Sequence, residues 1–361
     1  MKFQLPVYKQ PDFSSEALSA SPDVRLLPAP ADFVAPEGYH VTTIFPEYFK
    51  INKKWLLAKQ SRMDCVVVYE EEFHVREFRH IKRGDLIAVG RTEDGQDGIL
   101  VHPDGFLSKA GTSESFAFRQ GRSRETAFSI DYDFLYDLLR YEREHGYIVW
   151  VMGPVCSFDA DSRRSFVALI KEGYVGALLA GNALATHDLE GAYLKTALGQ
   201  DIYTQETRPN GHYHHIDTIN RVRLHGSIEK FIEKEGIDNG IIHACFKNNV
   251  PIVLTGSIRD DGPLPEVYCD VYAGQDAMRK HLSKATTVIA MATALHTIAA
   301  GNITPSFRVL PDETVRPVYF YTVDVSEFFA NKLADRGSLS AKSIITNVQD
   351  FIVHVGKELS K

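Results

Sequence analysis

Six short apolar runs, each followed by small or polar residues, constrain the fold of this chain most strongly. Each run is continuous rather than alternating, which is typical of strands buried on both faces. Helical spacing of apolar residues precedes the first run, as in Leu135, Leu138 and Leu139, and helical patterns stand between most of the runs. Buried strands that alternate with helices predict an α/β fold with a parallel, Rossmann-like sheet. The runs are Tyr147–Met152, Tyr174–Leu179, Pro251–Leu254, Thr286–Met291, Pro317–Val323 and Ser343–Ile345.

The part of the chain before this sheet has a different pattern. Short segments rich in Val and Ile, separated by charged or Gly-containing turns, predict a small β-rich domain. Prolines interrupt every possible element ahead of it, so we expect an extended arm there. We therefore divide the chain into an arm (1–36), a β-rich domain (37–125) and a Rossmann-like domain (126–361). The strands predicted for the β-rich domain are His40–Phe45, Asp64–Tyr69, Phe73–Phe78 and Asp85–Gly90.

Composition excludes several classes of protein. The 361 residues include 40 Lys or Arg and 47 Asp or Glu, and the net charge of −7 argues against a nucleic-acid or anionic-membrane partner. The most apolar long stretch, Ala285–Gly301, contains several Thr residues and a His, so a strand and a helix are expected rather than a membrane span. Four cysteines without CxxC spacing predict reduced, buried thiols in a cytoplasmic protein.

Small and polar residues cluster where five of the six strands should end. In an open parallel sheet, ligands bind beyond the carboxyl ends of the strands, near helix N-termini. Each cluster alone is better explained by turns and helix caps. Five clusters at one edge favour a ligand site, although the GxGxxG dinucleotide motif does not follow the first strand. The clusters are Ala180–Ala183, Gly256–Pro263, Thr293–His296, Val323–Val325 and Thr346–Val348.

Four long segments resemble the archaeal-type ornithine cyclodeaminase family: Leu178–Ala192, Lys247–Val267, Ala294–Asn302 and Val323–Ser338. The same family forms the C-terminal module of bifunctional arginine dihydrolase/ornithine cyclodeaminase enzymes and overlaps a lysine-oxoglutarate reductase/saccharopine dehydrogenase-related (LOR/SDH) region. The resemblance implies an NAD-binding fold like that of deoxyhypusine synthase and a homo-oligomer. It also implies conversion of L-ornithine, or a related diamino acid, to L-proline and ammonia.

Matching positions of the family motifs imply which residues contact NAD. Asn347 stands where relatives are expected to carry Asp, and it keeps hydrogen bonding but loses the charge. The segment Val155–Asp159 departs from the Val-His pair expected in relatives, which leaves the amino-acid substrate open. The implied cofactor-binding residues are Asn182, Ala183, Asp260, Thr293, Ala294, Leu295, His296, Asp324, Asn347 and Val348.

The implied reaction needs a base for the substrate amines and a group that shuttles protons near neutral pH. Within the matching motifs, the candidate catalytic residues are Asp261, His187 and Lys332. His187 is explained equally well as a buried, hydrogen-bonded histidine, and Lys332 as one half of a surface ion pair. Asp188 and Glu190 offer carboxylates, but acidic residues near a helix N-terminus also stabilise the helix without any catalytic role.

A histidine cluster, His212, His214 and His215, stands outside these motifs. A metal site is one interpretation, but no Cys or carboxylate stands at a ligand-like spacing, so a polar loop bordering the substrate site is favoured and no metal is expected. Two other functions stay open: an NAD-dependent amino-acid dehydrogenase of the opine type, and a regulatory protein that binds NAD without turnover.

Overall fold

The computed structural model describes residues 3–60, 62–106, 129–258, 260, 262–326 and 339–360. All six strands predicted for the parallel sheet are present. Its strands are β8 Ile148–Met152, β9 Ala177–Gly181, β12 Ile252–Thr255, β13 Thr287–Met291, β16 Tyr319–Asp324 and β17 Ala341–Ile345. The other strands are β1 Arg25–Pro28, β2 Glu47–Ile51, β3 Lys54–Leu57, β4 Val66–Glu70, β5 Glu72–Arg76, β6 Leu86–Val89, β7 Ile99–Val101, β10 Thr196–Ala197, β11 Gln200–Asp201, β14 Phe307–Val309 and β15 Val315–Pro317.

The spatial order of the parallel strands is β12-β9-β8-β13-β16-β17. Counted along the chain, this is the order 3-2-1-4-5-6 of a Rossmann fold. The strand order reverses between β8 and β13, whose carboxyl ends Met152 and Met291 are paired side by side. The predicted α/β class and Rossmann-like sheet are therefore confirmed, and the pair β8–β13 marks the point where such sheets bind ligands.

Helices cover both faces of this sheet. One face packs on α8 and α9 through Met278, Leu282 and Ile303. The opposite face carries a larger apolar core, to which Leu138, Phe166 and Phe351 belong. Within the described ranges, no helix has the length and apolar character needed to cross a membrane. The helices are α1 Glu16–Ala20, α2 Ser129–His145, α3 Ala160–Lys171, α4 Asn182–Leu194, α5 Gly211–His225, α6 Ile228–Lys234, α7 Ile241–Lys247, α8 Val271–Leu282, α9 Ala294–Ile303 and α10 Val348–Leu359.

The N-terminal region forms two antiparallel sheets, β1-β6-β4-β5 and β3-β2-β7. They share a core that includes Phe49 and Ile99 from one sheet and Val67 and Phe73 from the other. Antiparallel strands here agree with the predicted β-rich character. The segment expected to be an extended arm also contributes α1 and pairs β1 with β6.

Within the predicted β-rich domain, one predicted strand is wrong, and the observed strands β2, β3 and β7 were not predicted. His40–Phe45 is irregular, and the chain forms β2 only from Glu47 onwards. The side chains of Glu47 and Lys50 point to the reason, because both are buried although charged. Glu47 pairs with His40 at 3.1 Å, while Lys50 Nζ donates to the carbonyl oxygens of Leu18, Ser19 and Ser21. The charged side chains of β2 have hydrogen-bond partners outside the strand, so the sequence of β2 does not look like that of a buried strand.

Candidate functional site

Two helices begin at the carboxyl edge of the parallel sheet without a side-chain cap. Gly181 precedes α4 and Thr293 precedes α9, and neither residue accepts a hydrogen bond from its helix through a side chain. Four other described helices are capped in that way, by Asp159 for α3, Ser227 for α6, Asp270 for α8 and Asn347 for α10. Uncapped N-terminal N–H groups and the helix dipole favour an anion such as a phosphate.

The side chain of His296 brings three strand ends together. Its Nδ1 lies 3.0 Å from Thr293 Oγ1, after β13, and its Nε2 lies 3.4 Å from the carbonyl oxygen of Thr255, at the end of β12. The ring also lies over Gly181, where a Cβ atom would be 2.9 Å from His296 Cε1. His296 thus joins predicted site residues on both sides of β8.

His296 is neutral at physiological pH. Burial lowers the pKa of its imidazole, and although the Thr255 carbonyl and Asp260 act in the opposite direction, the pKa stays below its ordinary value. A neutral imidazole has one N–H donor and one acceptor nitrogen. The ring therefore organises this edge by hydrogen bonds rather than by charge.

A backbone hydrogen bond joins the residue after β8 to the end of β13, where the strand order reverses. Gly153 N donates to the carbonyl oxygen of Met291 at 2.9 Å. A Cβ atom at Gly153 would lie 1.8 Å from the carbonyl oxygen of Ala292, so only glycine permits this approach. The segment that departs from the family pattern starts directly after this contact, as a turn of 3₁₀ helix over Pro154–Ser157.

The remaining residues predicted to contact a cofactor also follow strands at this edge. Asn182 and Ala183 begin α4, Ala294 and Leu295 begin α9, and Val348 is buried at the start of α10. Asp324 ends β16 and Asn347 follows β17, on the other side of β13 from β9 and β12. The edge thus carries all ten residues: three follow β9 or β12, four follow β13 itself, and three end or follow β16 and β17.

The side chains of four of these polar residues accept hydrogen bonds from backbone N–H groups. Asn182 Oδ1 accepts from Leu264 N at 3.0 Å, and Asp260 Oδ2 accepts from Ser257 N at 2.7 Å. Asp324 Oδ1 accepts from Ser326 N at 3.0 Å, and Asn347 Oδ1 accepts from the first N–H groups of α10. Each bond orders a loop or caps a helix, so these side chains shape the edge even without a ligand.

His187 lies beside this edge in a buried hydrogen-bond network. Its Nδ1 is 3.0 Å from Glu190 Oε2, and its ring meets the ring of Phe158 edge to face. Glu190 Oε1 accepts from Thr196 Oγ1 at 2.8 Å, and that hydroxyl lies 2.8 Å from His214 Nδ1. A histidine held by a carboxylate is an arrangement suited to proton transfer.

Glu190 is ionised in this network. Burial alone would raise the pKa of its carboxyl group, but hydrogen bonds from His187, Thr196 and Gly199 N outweigh burial and hold the pKa below its ordinary value. An ionised carboxylate only accepts hydrogen bonds. The Nδ1–H of His187 therefore donates to Glu190.

Asp188 has a structural role that differs from the predicted one. It does not stabilise the N-terminus of its own helix but accepts from Ile241 N and Ile242 N, the first N–H groups of α7. Arg163 Nε donates to the same carboxylate at 2.9 Å, and both side chains are buried. No local pattern predicts this pair, because its members lie 25 residues apart.

Two of the three candidate catalytic residues, Asp261 and Lys332, lie outside the described residues, as does Arg259. The histidine cluster is split. His214 joins the Glu190 network, the ring of His215 lies 6.1 Å from that of His187 at a tilt of 48°, and His212 is exposed. Among the described residues, no three His, Cys, Asp or Glu side chains are grouped as a metal site. The sequence analysis did not identify His214 and Thr196 as members of the Glu190 network. The histidine cluster was the one feature of the sequence that pointed to His214.

The family model for the C-terminal Rossmann fold of ArgZ-like arginine dihydrolases matches residues 135–355. The chain belongs to this family. The resemblance found in the four sequence segments is thus confirmed.

Three relatives illustrate how far the similarity extends. An ornithine cyclodeaminase of Methanopyrus kandleri is 38% identical over 343 residues, which cover 94% of this chain and 79% of the relative. The crystal structure of a conserved LOR/SDH-type protein of Methanococcus maripaludis superposes with a TM-score of 0.83 at 34% identity, covering 94% of this chain and 98% of that one. The AgrE ternary complex with ornithine and NAD+ superposes with a TM-score of 0.58 at 31% identity, covering 94% of this chain and 46% of AgrE.

Proposed function

We propose that this protein is an NAD-dependent ornithine cyclodeaminase that converts L-ornithine, or a related diamino acid, to L-proline, or the matching cyclic imino acid, and ammonia. The observation that carries the proposal is the position of the His187–Glu190 pair beside a sheet edge with two uncapped helix N-termini. Relatives named ornithine cyclodeaminase and the ornithine and NAD+ complex of AgrE support the same reaction.

The carboxyl edge has the chemistry that a dinucleotide needs. The free N–H groups of α4 and α9 suit a pyrophosphate, and the carboxylate of Asp324 suits ribose hydroxyls. The glycine at position 181 leaves His296 close to the backbone of this edge. We therefore assign NAD to this edge, with the ten predicted residues as its surroundings. When bound, NAD supplies a hydride acceptor that later returns the hydride, so the net reaction is redox-neutral.

His187 is proposed to move the proton of the substrate amine. Its Nδ1–H donates to Glu190, so Nε2 is free to accept a proton, and the positive charge that results is stabilised by the carboxylate. Phe158 packs against the ring and limits the access of water on that side. Glu190 is thus a positioning residue, and His214 belongs to the same network through Thr196.

We also propose that the protein acts as a cytoplasmic homo-oligomer in which residues 1–36, 37–125 and 126–361 are the arm and the two domains. The thiols of Cys65, Cys156 and Cys245 are buried, which fits a reducing compartment, while Cys269 is exposed, contrary to our expectation. Sedimentation of the purified chain measures its oligomeric state.

Cofactor stoichiometry tests the proposed reaction. Purified protein is incubated with excess L-ornithine and NAD at one hundredth of the substrate concentration, and proline, ammonia and NADH are measured. We expect proline and ammonia in equal amounts, many turnovers per NAD, and no accumulation of NADH. Product formation limited to the amount of NAD would favour the opine-type dehydrogenase, and NAD binding without any product would favour the regulatory protein.

A further inference from the structure

The hydroxyl group of Thr196 lies between the carboxylate of Glu190 on α4 and the imidazole of His214 on α5. Its Oγ1 is 2.8 Å from Glu190 Oε1 and 2.8 Å from His214 Nδ1. Thr196 and Glu190 are buried, and His214 is half-buried. Thr218 Oγ1 also donates to the carbonyl oxygen of His214 at 2.8 Å, which fixes the backbone there. Two helices and β10 thus contribute to one chain of hydrogen bonds that ends at Glu190.

The direction of each hydrogen bond in this chain follows from counting protons. A hydroxyl group has one proton to donate, and an ionised carboxylate only accepts. Because Glu190 is ionised, the proton of Thr196 points to Oε1 of Glu190. The oxygen of Thr196 then acts as an acceptor towards His214, so Nδ1 of His214 carries a proton and donates it.

The donor on His214 affects Glu190 because a hydroxyl group rotates unless its oxygen is held. A donor to the oxygen directs the hydroxyl proton to the carboxylate and strengthens that bond, since successive hydrogen bonds polarise one another. A buried carboxylate that loses such a donor is protonated more easily. A protonated Glu190 donates to Nδ1 of His187, and the proton of the neutral His187 ring is then on Nε2.

We propose that His214 is a positioning residue for the reaction, which acts through Thr196 and Glu190 to hold His187 in the tautomer with the proton on Nδ1. This inference rests on the proposed function, in which Nε2 of His187 accepts a proton from the substrate amine. His214 acts here without touching substrate or NAD. Removing its donor lowers the fraction of His187 that is ready to act as a base, and therefore kcat, while the substrate contacts stay in place.

Two substitutions of His214 differ in the one atom that the proposal requires. The amide nitrogen of asparagine is separated from Cβ by one atom, as Nδ1 of histidine is, so His214→Asn keeps a donor near Thr196. His214→Leu removes the donor and keeps a side chain of comparable bulk. Thr196→Val breaks the chain at a second atom, and Thr196→Ser keeps the hydroxyl group. His354→Leu, at an exposed histidine on α10, is the control.

Nitrogen NMR shows which ring nitrogen of His187 carries the proton in each protein. The full chain is labelled with ¹⁵N-histidine, and His187→Gln identifies the signals of His187. At neutral pH we expect the proton on Nδ1 in wild type, His214→Asn, Thr196→Ser and His354→Leu. In His214→Leu and Thr196→Val we expect a mixture of the two tautomers.

Steady-state kinetics with ornithine and NAD measure the consequence for the reaction. In His214→Leu and Thr196→Val, kcat should fall about tenfold, the effect of losing one hydrogen bond. KM for ornithine should change by less than about twofold, because the substrate contacts are unaltered. His214→Asn and Thr196→Ser should recover most of kcat, and His354→Leu should match wild type.

The two measurements separate this inference from the proposed function. Wild type that forms no proline would contradict the proposed function, while the NMR comparison would still confirm or overturn the control of His187 by His214. An unchanged tautomer in His214→Leu and Thr196→Val would overturn the inference, even if kcat falls, because the loss then reflects packing. If His214→Leu does not fold, the comparison of Thr196→Val with Thr196→Ser decides by the same criteria.

Discussion

His187 Nδ1 lies 3.0 Å from Glu190 Oε2, one turn further along α4. The carboxylate also accepts from Thr196 Oγ1 and Gly199 N, so it is fixed on several sides. A fixed acceptor holds the imidazole in one tautomer and one orientation. In the proposed function, this geometry leaves Nε2 as the nitrogen of His187 that would meet the substrate.

Replacing His187 tests its role directly. His187→Gln keeps a polar side chain of similar size but removes the titrating nitrogen. We expect kcat for ornithine to fall about 100-fold or more, the usual contribution of general acid–base catalysis, while NAD affinity stays within twofold. His354→Gln on α10, at an exposed histidine whose Nδ1 lies 2.7 Å from the carbonyl oxygen of Asp350, serves as the matched control and should retain full activity. Equal activity of His187→Gln and wild type would remove His187 from the mechanism.

The Glu190 network predicts how stability depends on pH. Because the pKa of Glu190 is lower in the folded chain than its ordinary value of 4.5, ionised Glu190 stabilises the fold above that pH. The contribution disappears as pH falls through the folded-state pKa. Glu190→Gln should therefore lower the free energy of unfolding by about 1–3 kcal/mol at pH 7, with a difference from wild type that shrinks below pH 4.5.

Urea unfolding at several pH values between 7 and 4 measures this difference. Glu233→Gln, at an exposed position on α6, is the control and should change the free energy of unfolding by less than about 0.5 kcal/mol. A constant difference between Glu190→Gln and wild type at all pH values would show that the charge of Glu190 contributes nothing.

Because Gly181 lies close to the His296 ring, Gly181→Ala should weaken the binding of NAD without unfolding the protein. The backbone of Gly181 has φ −89°, which alanine adopts easily, but the added Cβ would lie 2.9 Å from His296 Cε1. The ring must move, so Gly181→Ala should weaken NAD binding about tenfold and shift the unfolding midpoint by no more than about 2 °C.

A double-mutant cycle identifies the cause. Once His296 is replaced by alanine, adding Gly181→Ala should have little further effect on the NAD dissociation constant measured by titration calorimetry. Additive losses from the two substitutions would contradict the steric link between Gly181 and His296.

Replacing Gly153 should affect stability more than replacing Gly181, because the atom nearest to the added Cβ belongs to the backbone rather than to a side chain. A Cβ at this position would lie 1.8 Å from the carbonyl oxygen of Ala292, and backbone cannot move aside as a side chain can. Gly153→Ala should destabilise the protein by about 3 kcal/mol. Gly84→Ala, with φ +93° but open space around it, should cost only about 1 kcal/mol. Similar unfolding midpoints for the two variants would show that β8 and β13 separate easily.

The sequence predicts the parallel sheet better than it predicts the β-rich region. Strands buried on both faces, such as β8 and β13, appear as uninterrupted apolar runs, so all six were recognised. In β2, by contrast, Glu47 and Lys50 are buried next to tyrosine and phenylalanine, and their partners lie in other segments. No local pattern predicts burial that depends on a distant partner.

The same limit applies to the candidate site. Residues after strand ends, including Asn182, Thr293 and Asp324, were predictable because parallel strands bring their carboxyl ends to one edge. The strand order was not predictable, and neither was the contact of His296 with β9 and β12, because both depend on tertiary packing. The buried pair Glu142–Arg316, joining α2 to β15, is a further case, since its members are 174 residues apart.

Isotope tracing tests the central claim, that one hydride leaves and returns to the same carbon. The protein is incubated with L-ornithine carrying deuterium at Cα and with unlabelled NAD at a small fraction of the substrate concentration, and the proline formed is examined by mass spectrometry and NMR. The account predicts that proline retains deuterium at Cα from the first turnover onwards, because the hydride that leaves Cα returns to it within the same turnover. Proline whose Cα hydrogen comes from solvent, or deuterium that accumulates in the reduced cofactor without proline, would contradict it.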